Sequence, residues 1–347
     1  MTIGMVKPAA AVEAGRKVKA ETRGSQGVRR FGAALRLASN LAYDGFRYWR
    51  NAYLLEASRS RQRAARMMAD AHFLEYGMSL SNAKTGLGRA RAERLASDME
   101  LHLRESGPDS ASAIARKTLE SYLMFNAVDN SGLKDLQAVL TRHPAAARHD
   151  VAAGVETVSA AEIHAKSAID FLGFVRSRHS IRSFKPGPQP VEELKRAVIA
   201  AQETPSSCNR QSCHVFAYTD PALLERVRKM QAGNRTFGHQ LAGILIVTSN
   251  LNAWETVGER YQGWVDGGLF AMTLAYALHA EGLGTCMLNW SVEKEQDRAL
   301  RRLTGLDDSQ LVITMMGFGW LPETLDVCVS QRLPLSETLT LNPPLTG

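Results

Sequence analysis

The chain has 347 residues, a formal net charge of +7 and a mean hydropathy of −0.20. This length suggests two domains of average size. No stretch approaches the roughly 18 to 20 apolar residues that a membrane-spanning helix needs. The first 30 residues contain no apolar segment followed by a small-residue cleavage site, so we expect no secretory signal and a cytoplasmic location.

The positive charge lies in the first part of the chain. Through Asp150 there are 24 Lys and Arg residues against 15 Asp and Glu residues, and the remainder has 18 against 20. Such an excess occurs in segments that bind nucleic acid or anionic membranes, but also on solvated helix faces. Arg59, Arg61, Arg63 and Arg66 spread around a helix axis instead of forming one stripe. We therefore favour solvated helix faces and expect no nucleic-acid or membrane partner.

The pattern of apolar residues divides the chain into four parts. Residues 1–28 are rich in Ala, Lys, Arg and Gly, which predicts a disordered basic tail. The pattern predicts an all-helical domain over residues 29–150 and a linker with the start of a helix over residues 151–164. It predicts a second domain over residues 165–347. The first helical stripe is formed by Ala34, Leu35, Leu37, Leu41 and Phe46.

Helices and strands alternate after the linker. Asp220 and Pro221 have the residue types of an N-cap and a first helical position, and Ile244–Val247 is an apolar run of strand length. Strands mixed with helices in this order predict an α/β or α+β domain. The predicted helices are Ala160–Phe174, Val191–Ala201, one from Asp220, Asp266–Ala280 and Glu293–Leu303, and the predicted strands are Val215–Tyr218, Ile244–Val247, one at Met287–Leu288 and Leu311–Met316.

Two polar segments are candidates for a binding site. The first follows a helix and contains Arg178, His179, Ser180 and Arg182. Arginine offers forked donors and serine a neutral one, a combination that suits a phosphate group. The same composition also occurs in ordinary solvated turns.

The second segment lies between a predicted helix and a predicted strand. It combines turn-forming residues with two amide side chains, each of which offers both a donor and an acceptor. Such groups suit the mixed hydrogen-bonding edge of a planar ring, although Asn and Gln also satisfy local backbone in polar loops. Its candidate residues are Pro205, Ser206, Ser207, Asn209 and Gln211.

Both segments resemble the motifs of the nitroreductase family. Domains of this family begin with an Arg-Arg/His-Ser-x-Arg/Lys run, which is followed about 25 residues later by Pro-Ser-x-x-Asn-x-Gln-Pro. The order and spacing agree here, with Ser212 in place of the last proline. The resemblance extends over about residues 165–341 and does not include the N-terminal helices.

Three further segments resemble the same family in the same order. Asp266–Gly268 opens the long central helix, and the turn after that helix carries Gly284 and Thr285. Met316–Glu323 resembles the family's strand-end Gly-aromatic motif. Arg332 lies in a Lys-x-Arg-x-Pro-like run in which Ser330 replaces the lysine.

The resemblance implies an α+β fold, with a central mixed sheet flanked by helices after the all-α N-terminal domain. It also implies an FMN-dependent oxidoreductase. By this likeness Arg178, Ser180 and Arg332 would hold the FMN phosphate with His179 beside them, and Arg182 would lie near the N1–C2 edge of the flavin. Asn209 would contact the ring edge, and Gly284 and Thr285 would approach the ring through their backbone. The reaction implied is ping-pong transfer of hydride from NADH or NADPH through flavin N5 to a small electron acceptor. It needs no protein catalytic residue and no metal, and the family's dimers pair through the central helix, here residues 266–280.

Several alternatives stay open. The flavin domain could be a binding or scaffold protein without redox turnover, or an auxiliary to a basic helical module. Cys208 and Cys213 lie near His214, but no second ligand pair occurs at zinc-site spacing, so we expect reduced structural thiols. Residues 250–265 form a short connection, in which Trp254, Tyr261 and Trp264 would either stack on a planar substrate or pack internally. We hypothesise that the N-terminal helices cover the resulting open site.

Overall fold

A computed structural model describes residues 23–54, 56–127, 133–144 and 151–345. Most of the predicted basic tail lies outside these residues, although the first helix already begins at Arg23. The helices are α1 Arg23–Asn51, α2 Ser60–Ser79, α3 Arg89–Ser106, α4 Ser110–Phe125, α5 Lys134–Arg142, α6 Ala160–Ser167, α7 Phe171–Ser177, α8 Val191–Gln202, α9 Pro221–Arg228, α10 Gln262–Ala280 and α11 Lys294–Thr304. The strands are β1 Cys213–Tyr218, β2 Gly243–Asn250, β3 Leu283–Asn289 and β4 Gln310–Trp320.

Helices α2 to α5 enclose a core of their own. Their buried apolar residues include Met67, Leu95, Met99 and Leu119, each less than 1% exposed. Asp109 caps α4 by accepting a hydrogen bond from the backbone of Ser112. The prediction of helices in this region is confirmed wherever the structure describes the chain.

The first predicted apolar stripe is not part of this core. In α1 the side chains of Leu35, Leu37 and Leu41 are 57 to 61% exposed, and that of Phe46 is 55% exposed. The chain divides between Gly45 and Phe46, and the residues from Phe46 onward form one compact unit. The stripe was therefore correctly located on a helix, and its large apolar side chains are more than half exposed.

The second part of the chain is built on a four-stranded antiparallel sheet in the order β1-β2-β4-β3. An isolated parallel bridge between Ser180 and Thr285 adds the only parallel pairing among the described residues. The α+β prediction is confirmed, whereas the predicted mixed character of the sheet is limited to this bridge.

Both faces of the sheet are covered, as the continuous apolar run of β2 requires. Ile244 and Ile246 face a layer that contains α9 and α11, while Leu245 and Val247 face α8 and α10. All four side chains are fully buried, and they alternate because successive residues of a strand point to opposite faces. The strand therefore fixes the positions of α8 and α10, which border the candidate site.

Several predicted boundaries were wrong. The helix predicted over Ala160–Phe174 is two helices, because the Asp170 side chain accepts a hydrogen bond from the Gly173 backbone and starts a new helix at Phe171. Helix α10 begins four residues before Asp266, at Gln262. Gly284 and Thr285 lie inside β3, and the turn before it is made by Gly282 with a φ of +78°.

A fourth cluster joins the end of α1 to the segment after β2. Trp254 is fully buried against Tyr48 and Tyr53, and the Tyr53 backbone N–H donates to the Trp254 carbonyl at 3.0 Å. The Tyr48 hydroxyl donates to the carbonyl of Thr256. The end of α1 thus holds the connection that leads from the sheet into α10.

Candidate functional site

The first candidate segment forms a cationic cleft at the end of α7. The Ile181 backbone N–H donates to the Thr285 carbonyl at 2.8 Å, which places the segment beside the start of β3. The cleft has a volume of about 260 Å³, and its lining includes Arg178, His179, Gly284 and Thr285 together with apolar side chains such as Leu321. No Asp or Glu lines it. This donor set suits an anionic group such as a phosphate.

Gly284 is required by close packing in this cleft. A Cβ added to it would lie 2.8 Å from Leu321 Cδ2 and 3.0 Å from two side-chain atoms of Ile181. The residue therefore lets β3 approach the segment that carries Arg178 and Arg182. Sequence reasoning singled out this glycine for an approach to a ligand, and the structure shows a packing reason for it.

A second histidine, His279, also lines this cleft, and its surroundings disfavour its charged form. His279 Nε2 lies within hydrogen-bonding distance of the Ser177 hydroxyl, at 2.7 Å. Burial lowers the pKa of His279, and the nearby Arg178 and His179 lower it further. Arg178 therefore provides the positive charge of the cleft near neutral pH.

The second candidate segment is a tight loop with an unusual backbone. Cys208, Asn209 and Gln211 all have φ values near +50°, a backbone conformation that residues other than glycine rarely adopt. Gln211 donates through its backbone N–H to Ser206 Oγ at 3.0 Å and through Nε2 to Asn209 Oδ1 at 3.2 Å. Strained backbone of this kind persists only where surrounding contacts fix it, and it is found frequently at ligand sites.

Two buried charges hold this loop in place. Asp266 on α10 is 2% exposed and accepts a hydrogen bond from the Ser207 backbone N–H at 3.0 Å. The Arg210 side chain, 3% exposed, donates to Glu259 at 2.6 Å and lies 3.6 Å from Glu255. Neither residue was among the sequence-predicted site residues. The sequence contains a signal for Asp266, because it is a charged residue in a helix that is otherwise largely apolar.

Ser212, which replaces the family's proline, also takes part in the anchoring. Its hydroxyl lies 2.9 Å from the Ser249 hydroxyl, and its carbonyl accepts from the Asn250 backbone N–H at 2.8 Å. The serine thus ties the end of the loop to β2. A proline at this position would lack the hydroxyl.

The two segments do not meet in one chain. The loop contacts α10 at Asp266 and the cationic cleft contacts it at His279, 13 residues further along. At 1.5 Å per residue these contacts are roughly 20 Å apart. Pro205, Ser206 and Gln211 line a separate small cavity of about 70 Å³. Arg332 lines neither cavity; it is exposed, and Nη1 donates to the Ser330 carbonyl at 2.9 Å.

The aromatic residues of the 250–265 connection have different roles. Trp254 is fully buried and packs internally, whereas Tyr261 and Trp264 are 62% and 45% exposed. Within the described residues, no group of His, Cys, Asp and Glu side chains could hold a metal, and all four cysteines are free. Among those same residues, no helix has the length and apolarity needed to cross a membrane.

Comparisons with known proteins identify the middle of the chain. Residues 175–246 match the sequence model of the nitroreductase family. A protein of Archaeoglobus fulgidus named NADH dehydrogenase/NAD(P)H nitroreductase is 22% identical over 157 residues, which cover 45% of this chain and 87% of that protein. The matched family segment contains both candidate segments, Arg178–Arg182 and Pro205–Gln211.

Solved structures of similar proteins align with about half of the chain. An FMN-dependent nitroreductase from Clostridium difficile is 18% identical, with a TM-score of 0.43 over 50% of this chain and 99% of that one. A nitroreductase in complex with FMN from Desulfovibrio desulfuricans is 20% identical, with a TM-score of 0.44 over 52% of this chain and all of that one. The sequence match to the nitroreductase family thus covers residues 175–246 of this chain.

Proposed function

We propose that the chain is an FMN-dependent NAD(P)H oxidoreductase of nitroreductase type. The observation that carries the proposal is the cationic cleft whose lining includes Arg178, His179, Gly284 and Thr285. This cleft suits the phosphate of FMN, because it offers forked donors and contains no acidic residue among its lining. The relatives' names, NAD(P)H nitroreductase and nitroreductase in complex with FMN, agree with this cofactor and reductant.

The remaining candidate residues fit the other parts of the cofactor. Ser180 and Arg332 would add donors to the phosphate, and Arg182 would place its positive charge near the N1–C2 edge of the ring. Asn209 would contact the ring edge through its amide, with Pro205, Ser206, Ser207 and Gln211 shaping the loop beside it. A bound flavin supplies the hydride-transfer chemistry, and a cation near N1 favours its reduced, anionic form.

The protein's own residues then bind, orient and exclude water, and none of them has to act as a nucleophile. NADH or NADPH would deliver hydride and leave before a small acceptor, such as a nitro compound or a quinone, takes the same position. This ping-pong order is part of the proposal and follows from a single shared reaction face. The N-terminal helices would support that face, because α1 and α2 pack on the segments around the 204–211 loop.

A homodimer would complete the site. The two candidate segments contact α10 near its opposite ends, so a two-fold axis across α10 would bring the loop of one subunit to the cleft of the other. The outer face of α10 carries Trp264, Val265 and Leu269, which are 45 to 53% exposed. An exposed apolar stripe on a helix of this length is a candidate contact surface.

Several arginines of the basic N-terminal helices are paired with carboxylates of neighbouring helices. Arg66 pairs with Asp98, and Arg91 and Arg94 both pair with Asp70, which is fully buried. Because two aspartates pair with these three arginines, part of the local positive charge is compensated within the protein. A nucleic-acid or membrane partner therefore remains the less favoured function.

The test is purification of the full chain, followed by an absorption spectrum and measurement of the flavin released on denaturation. We expect a yellow protein with about one FMN per chain. Anaerobic addition of NADH and NADPH in separate titrations should bleach the flavin, and a panel of acceptors should restore its colour. A colourless protein that FMN cannot reconstitute would contradict the proposal and favour the scaffold alternative.

A further inference from the structure

A second, larger cleft lies between helix α2 and the edge of the sheet. Its volume is about 410 Å³, which is within the size range of small-molecule sites. Arg61, Ala64 and Met68 of α2 form one side, and Gln211 and Asn250 belong to the other. We call this space the α2 cleft. It has no counterpart in the sequence motifs, because α2 lies outside the family match at residues 175–246.

The α2 cleft has an uncompensated positive charge. Its lining contains Arg61 and Arg210 but no Asp or Glu, and burial together with the charge of Arg61 lowers the pKa of the third basic residue, His214. Arg210 is already paired with Glu259. Arg61 makes no hydrogen bond or ion pair with the residues that the structure describes. Its charge helps to lower the pKa of Asp307, but the two side chains form no ion pair. The Arg61 guanidinium is therefore available to an anion.

Neutral groups complete the lining. Burial raises the pKa of Cys213 to about 12, so its thiol adds no negative charge. The side-chain amides of Asn250 and Gln310 accept hydrogen bonds through their oxygens, from Asn252 and Thr248 respectively. Their amide N–H groups donate to no residue within the described part of the chain. Donors of this kind suit the oxygen atoms of a carboxylate or nitro group.

The α2 cleft is directly connected with the loop that carries the flavin motif. Gln211 lines both the α2 cleft and the small cavity beside Pro205 and Ser206. Ala64, Met68 and Phe216 provide an apolar surface on which the body of a small ring can lie. A molecule in the cleft would therefore sit beside the Asn209–Gln211 edge of the loop.

We propose that the α2 cleft binds the electron acceptor, and that this acceptor is a small aromatic acid whose carboxylate pairs with Arg61. The inference rests on the proposed flavin-dependent function and specifies its substrate class. It also gives the N-terminal helices a direct role, since Arg61 makes α2 part of the specificity of the site.

The test uses the full-length, FMN-loaded protein and two probes that differ in charge, 4-nitrobenzoate and 4-nitrobenzamide. Binding is measured by isothermal titration calorimetry for the wild type, Arg61→Gln and Arg59→Gln. Arg59 is an exposed arginine at the start of the same helix that does not line the cleft. Arg61→Gln should weaken 4-nitrobenzoate binding about tenfold, as expected for loss of one charge-assisted hydrogen bond. It should change 4-nitrobenzamide binding by less than about twofold, and Arg59→Gln should change neither.

Turnover provides the second measurement. Arg61→Gln should raise the KM for 4-nitrobenzoate with little change in kcat, and it should leave reduction of the flavin by NADH unchanged. Equal binding of the two probes by the wild type, or an equal loss in Arg59→Gln, would overturn the inference. Charge-selective binding without turnover would instead contradict the proposed function and leave the α2 cleft as an anion site.

Discussion

At the scale of single residues, the conformation of the 204–211 loop depends on Arg210. Its side chain is 3% exposed and donates to Glu259 at 2.6 Å. Arg210→Gln should lower the free energy of unfolding by about 3 kcal/mol, because removal of one partner leaves a poorly solvated carboxylate without its cation. Urea unfolding followed by tryptophan fluorescence measures this loss.

Arg226 provides the matched control for Arg210. It is exposed on α9, away from the loop, so Arg226→Gln should change the free energy of unfolding by less than about 0.5 kcal/mol. Equal effects of the two substitutions would show that Arg210 is not a structural anchor. Weakened FMN binding in Arg210→Gln alone would further connect the anchor with the loop.

The ion pair between Arg210 and Glu259 also predicts a pH dependence. Burial opposes ionisation of Glu259, but hydrogen bonds from Arg210 and from the backbone of Glu255 and Thr256 outweigh it and lower its pKa below 4.5. A carboxyl whose pKa is lowered by folding contributes stability above its unfolded value, and this contribution is lost as the pH falls.

The difference in unfolding free energy between the wild type and Glu259→Gln should therefore be largest above about pH 5 and shrink below pH 4.5. Urea unfolding at pH 7, 5, 4 and 3 measures it. Glu225→Gln serves as control, since its ion pairs with Arg228 and Lys229 lie on the surface of α9. A difference for Glu259→Gln that is constant over this range would contradict the assignment.

At the scale of elements, local signals predicted the helices and strands better than their ends. Asp220 caps α9 through hydrogen bonds to Ala222 and Leu223, as its residue type suggests, and the apolar run Ile244–Val247 is a fully buried strand. The break at Asp170 was missed because an aspartate caps a helix in some contexts and is tolerated within one in others. Tertiary contacts decide between these outcomes.

Helix α10 carries the prediction for assembly. Leu269 is 49% exposed on its outer face, next to Val265. If α10 pairs with its copy, Leu269→Glu should bury a charge at the contact and shift the protein from dimer to monomer. Sedimentation velocity measures the distribution. FMN should be lost together with the dimer, because each site would draw residues from both subunits.

Leu223 on α9 is the control for this substitution, since it is equally exposed, at 47%. Leu223→Glu should leave the oligomeric state and the FMN content unchanged. A Leu269→Glu protein that remains dimeric, or a wild type that is monomeric with full FMN content, would contradict pairing through α10.

At the scale of the whole molecule, the motifs single out two candidate segments but do not predict where these segments lie relative to each other. Ser180 and Thr285 are adjacent through a bridge that joins positions 105 residues apart, and Asp266 reaches Ser207 across 59 residues. Such contacts follow from sheet order and helix packing, which residue spacing does not encode. The α2 cleft could not be predicted from the motifs either, because only the fold brings Arg61 and Gln211 into the lining of one cleft.

Because the N-terminal helices are joined to the sheet, we expect the helices and the sheet to unfold together. Arg47 of α1 is 4% exposed and donates to the backbone carbonyls of Asp308 and Gln310 at 2.8 to 3.1 Å. Because these bonds connect both parts of one compact unit, far-UV circular dichroism and tryptophan fluorescence should report a single coincident transition in urea. Arg47→Gln should lower the free energy of unfolding by about 2 kcal/mol and shift both signals equally.

Arg50 offers the control on the same helix. Its ion pair with Asp308 is exposed, at 57% and 56% for the two side chains, so Arg50→Gln should change the free energy of unfolding by less than about 0.5 kcal/mol. Two separate transitions in the wild type would mean that the helices and the sheet unfold independently. In that case removal of residues 1–150 should leave FMN affinity and turnover unchanged, and the N-terminal helices would have no part in the site. A single transition that is shifted by Arg47→Gln would mean instead that the N-terminal helices stabilise the segments around the 204–211 loop. Both signals would then depend on the same contacts.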